Sequence, residues 1–407
     1  MLPWYSFPTL SMIVCGSRHF CLPPTLFCAA MVFVGVLILN LRVAAEMPAG
    51  AVTQMSTEEH LAKPGWWPRK GDAPRSAYVG AAACAECHSE LFNTQQQHAM
   101  ARSSLLVSNA TGVDHPATFA IGSANYSISS VNHTLVYKVS YKSESFSTPL
   151  TWIFGSGHHG QTFIYRRAGE WWETRMTIFT GFGPGITPGE SDAVPSSLAG
   201  ALGRSIPSGE LPMCFGCHAT AAVTSGKFNP ASAIPGISCE GCHGPGAAHV
   251  SLARSGVSDN PGLIFNPGHL DPATSVDFCG SCHRTWWDVS QLRDQGVNVV
   301  RFSAYRLEQS RCWGKGDARL TCAACHNPHK PLATDASAYD QKCLQCHVQS
   351  AGMTTTAEHP GPACPVKTSQ CTSCHMPRYE VPQMHSLFTD HRIRVVRNPG
   401  VIPTNWD

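Results

Sequence analysis

Charge is what this 407-residue chain has least of. Lys, Arg, Asp and Glu make up 14% of it and leave a net charge of +2. There is therefore no basic footprint for nucleic acid and no acidic tail. No Walker-type or dinucleotide glycine fingerprint occurs, so a nucleotide cofactor is not indicated. After the first 45 residues no segment is apolar enough to span a bilayer.

Cysteine and histidine, by contrast, are abundant and patterned. Of 19 Cys, fourteen fall in seven Cys-x-x-Cys-His strings, where random placement of these residues would give about 0.04. Numbered in chain order, the motifs are Cys84/Cys87/His88, Cys214/Cys217/His218, Cys239/Cys242/His243, Cys279/Cys282/His283, Cys322/Cys325/His326, Cys343/Cys346/His347 and Cys371/Cys374/His375. Two thiols three positions apart on a helical turn can each add to one haem vinyl group, and the following His presents its imidazole to the iron. A zinc site needs four ligands, which three-ligand strings repeated seven times supply poorly. The pattern predicts seven covalently bound haem c groups.

The chain is predicted to be exported, to the periplasm or another extracytoplasmic place, because haem attachment takes place outside the bacterial cytoplasm. Residues 1–45 read as a signal peptide or N-terminal membrane anchor, with an apolar run near 22–41 and small residues before Glu46. Cys312 and Cys364 remain outside the motifs and the leader, and an oxidising compartment predicts a disulfide between them.

Residues 46–77 read as a linker, 78–104 as a first haem module, 105–210 as a β-rich insert and loop, 211–398 as a six-haem module and 399–407 as a tail. Period-two alternation predicts strands at 118–121, 126–130, 134–141, 146–154, 162–165 and 171–179, and 181–210 reads as loop. Six motifs in about 165 residues leave too little chain for an ordinary core, so the haems themselves are expected to form it. The expected fold is therefore mainly α and irregular, organised around the haems, with a small antiparallel β insert between the first two.

The second axial ligand of each iron decides between electron transfer and catalysis. Outside the leader and the motifs stand twelve further His for seven positions. The candidates placed near motifs or in compact turns are His98, His249, His329, His359, His385, His391 and one of the pair His158/His159, of which His159 is preferred. Met213 and Met384 are lesser candidates. The Trp pairs 66–67, 171–172 and 286–287 read as flat apolar surface against porphyrin or core.

Flanking residues add a resemblance. Tyr78–His88 with His98, Gly157–Thr162, Cys214–Thr220, Cys239–His249, Cys371–Pro377 and Phe388–Ile393 resemble the cytochrome c-554/c-prime type of multihaem domain, in the wider group that includes hydroxylamine oxidoreductase. The resemblance runs over roughly residues 77–398. It implies stacked and edge-on haem pairs, mostly bis-His ligation and electron relay. Seven haems exceed the four of the namesake and fall short of the eight typical of the oxidoreductases. No Cys-x-x-Cys-Lys string and no counterpart of the oxidoreductases' tyrosine cross-link is present, which weighs against an enzyme.

The leading expectation is a relay of electrons between redox proteins, either cytochromes or membrane quinol-linked complexes. A rival expectation is an oxidoreductase acting on a small nitrogen or sulfur compound at one five-coordinate haem, with Arg166, Arg167 and Arg175 near the His158/His159 tip binding substrate. A third is a haem subunit whose β insert docks a partner.

Overall fold

Alternation along residues 104–206 builds one large antiparallel sheet. The computed structural model describes residues 59, 73–109, 116–132, 134–257, 264–291, 296–314, 320–347 and 364–397. The leader, the tail, most of the linker and His359 lie outside the described residues. The strands are β1 (Ser104–Leu106), β2 (Ala117–Ile121), β3 (Ala124–Val131), β4 (Thr134–Tyr141), β5 (Glu144–Phe154), β6 (Gly160–Arg167), β7 (Glu170–Phe179), β8 (Gly183–Ile186) and β9 (Arg204–Ile206). β2 to β8 form a meander in chain order, β1 adds to β5 and β9 to β7. The outer strands β2 and β8 approach one another, so the sheet nearly closes into a barrel.

This corrects the expected fold class. Of the described residues about 34% are helical and 27% strand, so the protein is not mainly helical and the sheet is not a small insert. The motif count, not the alternation, misled the expectation: the six predicted strands are all present, and β1, β8 and β9 extend the sheet. β8, β9 and a short helix (Leu198–Ala201) also occupy the stretch read as loop.

Side chains sort by the two faces. On β4, Leu135, Tyr137, Val139 and Tyr141 are buried in strict alternation. They join Tyr126, Ile128, Leu150, Ile153, Phe163, Tyr165 and Met176 in one apolar cluster. A register shift between Leu150 and Trp152 re-aims β5. Beyond it Trp152 and Phe154 turn to a second cluster with Ile164, Ile206 and Phe215. The β6–β7 hairpin turns through Ala168 and Gly169, both at positive φ, as a two-residue turn of matching twist requires.

Apart from three two-stranded sheets, the other described elements are short helices, of which the longest, Pro272–His283, has twelve residues. Asp271 caps it by accepting from the Thr274 amide at 3.1 Å, and Pro272 fills the first turn. Helices this short are marginal alone, so packing between segments must hold them. Gly236 shows how close that packing is: at φ 73° it abuts the Ala101 carbonyl, where a Cβ would collide. Among the described residues no helix is long and apolar enough to cross a membrane. Cys312 and Cys364 are not joined by a disulfide, contrary to expectation; the Cys364 sulfur takes hydrogen bonds from the Val366 and Lys367 amides.

Candidate haem sites

Each motif occupies about one helical turn, which is how its three functional groups reach one side. The amides of His88, His326 and His347 donate to the carbonyls of Cys84, Cys322 and Cys343 at 2.8, 2.8 and 3.0 Å. Motifs two, three, four and seven end the helices Leu211–His218, Cys239–His243, Pro272–His283 and Cys371–His375.

Cys87 and Cys374 are exposed, and the other twelve motif cysteines, Cys282 among them, are half-buried. The Cys87 amide still donates to the Cys84 carbonyl at 3.2 Å, so the first pair keeps its shared turn. The Cys374 sulfur lies 3.8 Å from the hydroxyl of its own neighbour, Ser373. Cys282 sits in the last turn of Pro272–His283, directly before His283.

Three motif imidazoles are oriented by a backbone carbonyl. Nδ1 of His218 donates to Ser103 at 2.9 Å, that of His243 to Phe265 at 2.8 Å and that of His375 to Arg394 at 2.9 Å. Donation from Nδ1 fixes the tautomer and leaves the Nε2 lone pair for a metal. Burial lowers the pKa of His218, His283 and His326, keeping the neutral, ligating form. His283 retains accessible surface although burial dominates its shift; both hold if the ring lines a recess.

Two expected distal candidates face motif histidines. The His243 and His329 rings lie 6.0 Å apart between centroids and 11° from parallel. His326 and His391 lie 6.2 Å apart at 45°. A metal–imidazole bond of about 2 Å, plus about 1 Å from nitrogen to ring centre, puts two axial imidazoles roughly 6 Å apart across one metal. Nδ1 of His391 donates to the Thr389 carbonyl at 3.0 Å. Burial, with the neighbouring His326 charge, pushes the His391 pKa down to about 4.

The other candidates are placed differently. His98 is buried near His326 and His283 rather than at its own motif, and its Nδ1 accepts from the Met100 amide at 3.0 Å. His249 is half-buried on the helix Ala247–Arg254. His159 bonds through Nδ1 to Ser386 Oγ and stacks on Phe388, with His158 edge-on to it. His385 stacks on Phe182 with centroids 3.7 Å apart. These last three tie the β5–β6 turn and the β7–β8 turn to the hairpin formed by strands Arg378–Val381 and Ser386–Thr389. Met213 is exposed.

The arginines expected to bind substrate do other work. Arg166 and Arg167 lie at the far end of β6 from His159, over the Trp171 and Trp172 rings at 4.5 and 4.8 Å. Arg175 is buried and donates to the carbonyls of Gly200, Ser191 and Ala193. The length of β6 separates Arg166 and Arg167 from the tip, a distance the sequence reading overlooked.

Neighbouring motifs in space are not always neighbours in sequence. The Cys84 and Cys239 sulfurs are in hydrogen-bonding contact, as are Cys279 with Cys322 and Cys343 with Cys371. Cys242 lies near Cys279 and Cys325 near Cys346. The Cys217 sulfur meets the Ser281 carbonyl at 3.8 Å. Taken together, the contacts run through motifs one, three, four, five, six and seven, with motif two beside motif four.

Two carboxylates outside the expected set hold pairs together. Glu240, inside motif three, accepts from Val79 and Gly80 at 2.9 and 2.8 Å, before the first motif's helix, and from Gly246 at 2.8 Å. Asp340, ahead of motif six, accepts from Gln370 and Cys371 at 2.7 and 2.9 Å. A carboxylate in or just before a motif was the one available signal.

Motif two has a fully buried aromatic, Phe215, as a spacer residue. It packs edge-on to Trp152 and Phe154 and flat on Phe228, while Phe154 stacks on the His218 ring at 4.7 Å. Ser103 and Ser104 hydroxyls donate to the His218 carbonyl. The sheet thus serves as a wall for this motif.

Residues 198–244, which hold motifs two and three, match the family model "Cytochrome c554 and c-prime". The chain is 24% identical over 153 residues to a "Multiheme cytochrome MtrA" from Shewanella baltica (strain OS185); the match takes in 30% of this chain and 45% of that one, under half the relative's length. Among solved structures it resembles that of the outer cell wall cytochrome OcwA. That likeness has 15% identity and a TM-score of 0.47, over 79% of this chain and 80% of the other.

Proposed function

We propose that this chain, a multihaem c-type cytochrome, carries seven haems and relays electrons along its motifs in the order one, three, four, five, six, seven, with motif two branching beside motif four. The observation that carries this reading is the spacing of the two histidine ring pairs, 6.0 and 6.2 Å, which suits two axial imidazoles on one iron. Such irons are closed to substrate, which favours relay over chemistry.

A bound haem supplies a one-electron ferric–ferrous couple. The residues present fit it: paired thiols on a turn, an adjacent imidazole and, at three motifs, a carbonyl that frees Nε2. Cys87, Cys282 and Cys374 serve as the second thiols of their motifs on this reading. His329 and His391 complete the third and fifth sites. His98, His159, His249, His359 and His385 remain candidates for the others. The nearness of successive motifs would bring the haems that they hold close to one another. The haem chemistry itself supports an extracytoplasmic location, with other redox proteins as partners and membrane attachment through the N-terminal segment as a further element of the proposal.

The test is spectroscopic. Replacing His329 or His391 by Ala is expected to turn one low-spin haem high-spin in each variant, read by electron paramagnetic resonance and by carbon monoxide binding to the reduced protein. Unchanged spectra in both variants would overturn the ligand assignment. A stoichiometric high-spin, ligand-binding haem in the unmutated protein would replace pure relay with an enzymatic reading.

A further inference from the structure

Between His326 and His375 the protein keeps a fully buried ion pair that the sequence reading did not single out. The side chains of Arg306 and Asp390 are both 0% exposed. Arg306 donates through Nε and Nη2 to the two Asp390 oxygens, each at 2.8 Å, and through Nη1 to Gln309 at 2.8 Å. Arg394 adds a contact to Asp390 at 2.7 Å, and the Arg392 amide donates to the same carboxylate at 3.1 Å. A planar guanidinium holding a carboxylate by two parallel bonds fixes orientation as well as distance.

What this pair fixes is the segment 389–394. Asp390 immediately precedes His391, whose ring faces His326. Four residues on, the Arg394 carbonyl accepts from Nδ1 of His375, and its amide donates to the His375 carbonyl at 3.3 Å. Ser310 secures the stretch between, its hydroxyl donating to the His391 carbonyl at 3.3 Å and accepting from the Ile393 amide at 2.8 Å. Arg306 and Ser310 lie on and just after the helix Ser303–Glu308. That helix packs on the motif-four helix Pro272–His283 through Ala304, Leu307 and Val276. One buried arginine therefore stands behind a short strap that meets two different motifs.

We infer that Arg306 is a positioning residue for two irons at once: it sets the strap that aims His391 at the fifth haem and orients His375 at the seventh. This rests on the proposed ligation, and it goes beyond it by tying the ligand fields of two haems to a residue that touches neither. Arg306 acts at the fifth site through the placement of Nε2 and at the seventh through the hydrogen bond that sets imidazole basicity.

The test uses the full holoprotein with Arg306→Gln, Arg306→Lys, Ser310→Ala and His391→Ala. Haem content is checked first by mass. In Arg306→Gln, one haem in seven is expected to gain high-spin character, and a second, still low-spin, is expected to shift its resonance and midpoint potential. Arg306→Lys is expected to restore part of both signals. His391→Ala is expected to change the fifth haem alone. Should Arg306→Gln fail to accumulate, Ser310→Ala, which removes one hydroxyl, is expected to give a smaller change at the fifth haem. If a fully loaded Arg306→Gln protein, or Ser310→Ala in its place, keeps the unmutated spectrum and potentials, the positioning role is overturned. If instead His391→Ala gives no high-spin haem, it is the ligation reading that fails.

Discussion

Glu240 and Gly80 are hydrogen-bonded at 2.8 Å although 160 residues separate them. The carboxylate sits between the two cysteines of one motif and receives the backbone just ahead of another motif's helix. Asp340 does the same for Cys371. Carboxylates accept backbone N–H bonds more strongly than neutral groups do, and in a chain of short helices they replace the packing that longer helices would supply.

Glu240→Ala leaves one buried and two partly buried backbone amides without their acceptor. Destabilisation of about 3 kcal/mol is expected, read as a lower thermal midpoint, and Glu240→Gln, which keeps one acceptor oxygen, is expected to lose less. Equal loss in the two variants would mean that the amides are not what Glu240 serves.

Phe215→Ala should cost about 3–5 kcal/mol, the usual range for emptying a buried aromatic site. The second motif keeps its cysteines and His218, so haem attachment there is expected to persist. A thermal midpoint equal to that of the unmutated protein would show that the sheet does not brace this motif.

Asp277 gives a pH dependence. Burial, with Asp288 and Asp271 adding, pushes its carboxyl up to about 7 from 3.8. A folded-state pKa above the unfolded one means that the native state binds the proton more tightly. Stability from this group is then full below about pH 4 and falls as pH rises towards 7. Asp277→Asn is expected to flatten that decline, with a relative gain on the order of 2 kcal/mol at about pH 8. Denaturation curves at about pH 5 and pH 8 that move in parallel for both proteins would contradict it.

Intact mass should show seven covalent haems, and a single Cys→Ser change at either cysteine of any one motif should weaken attachment at that motif alone. A lower count in the unmutated protein would mean that some motif is not used.

The motifs and six strands were legible because each is a local pattern: a fixed spacing, or alternation along a few residues. The closing of nine strands was not, since alternation marks a strand without saying what it pairs with. The shift at Leu150 and Trp152, which sends one strand's side chains into two clusters, leaves no trace in the composition. Nor does a spacing say how deep a thiol lies, which is why exposed Cys87 and Cys374 read the same as the half-buried motif cysteines. His329 and His391 could be marked as candidates by their placement near motifs, yet not matched to His243 and His326. Glu240 read as a spacer residue and Arg306 as one charge among few, because their partners lie far along the chain.

The same distances make the motif-bearing half a braid rather than a string of beads. His243 faces His329, His326 faces His391 and Arg306 grips Asp390, 84 residues on. Any cut between residues 243 and 391 therefore parts at least one such couple. The motif is the repeating unit of the sequence, but it is not a unit that can be excised, shuffled or appended singly; such changes have to take the braid as a whole.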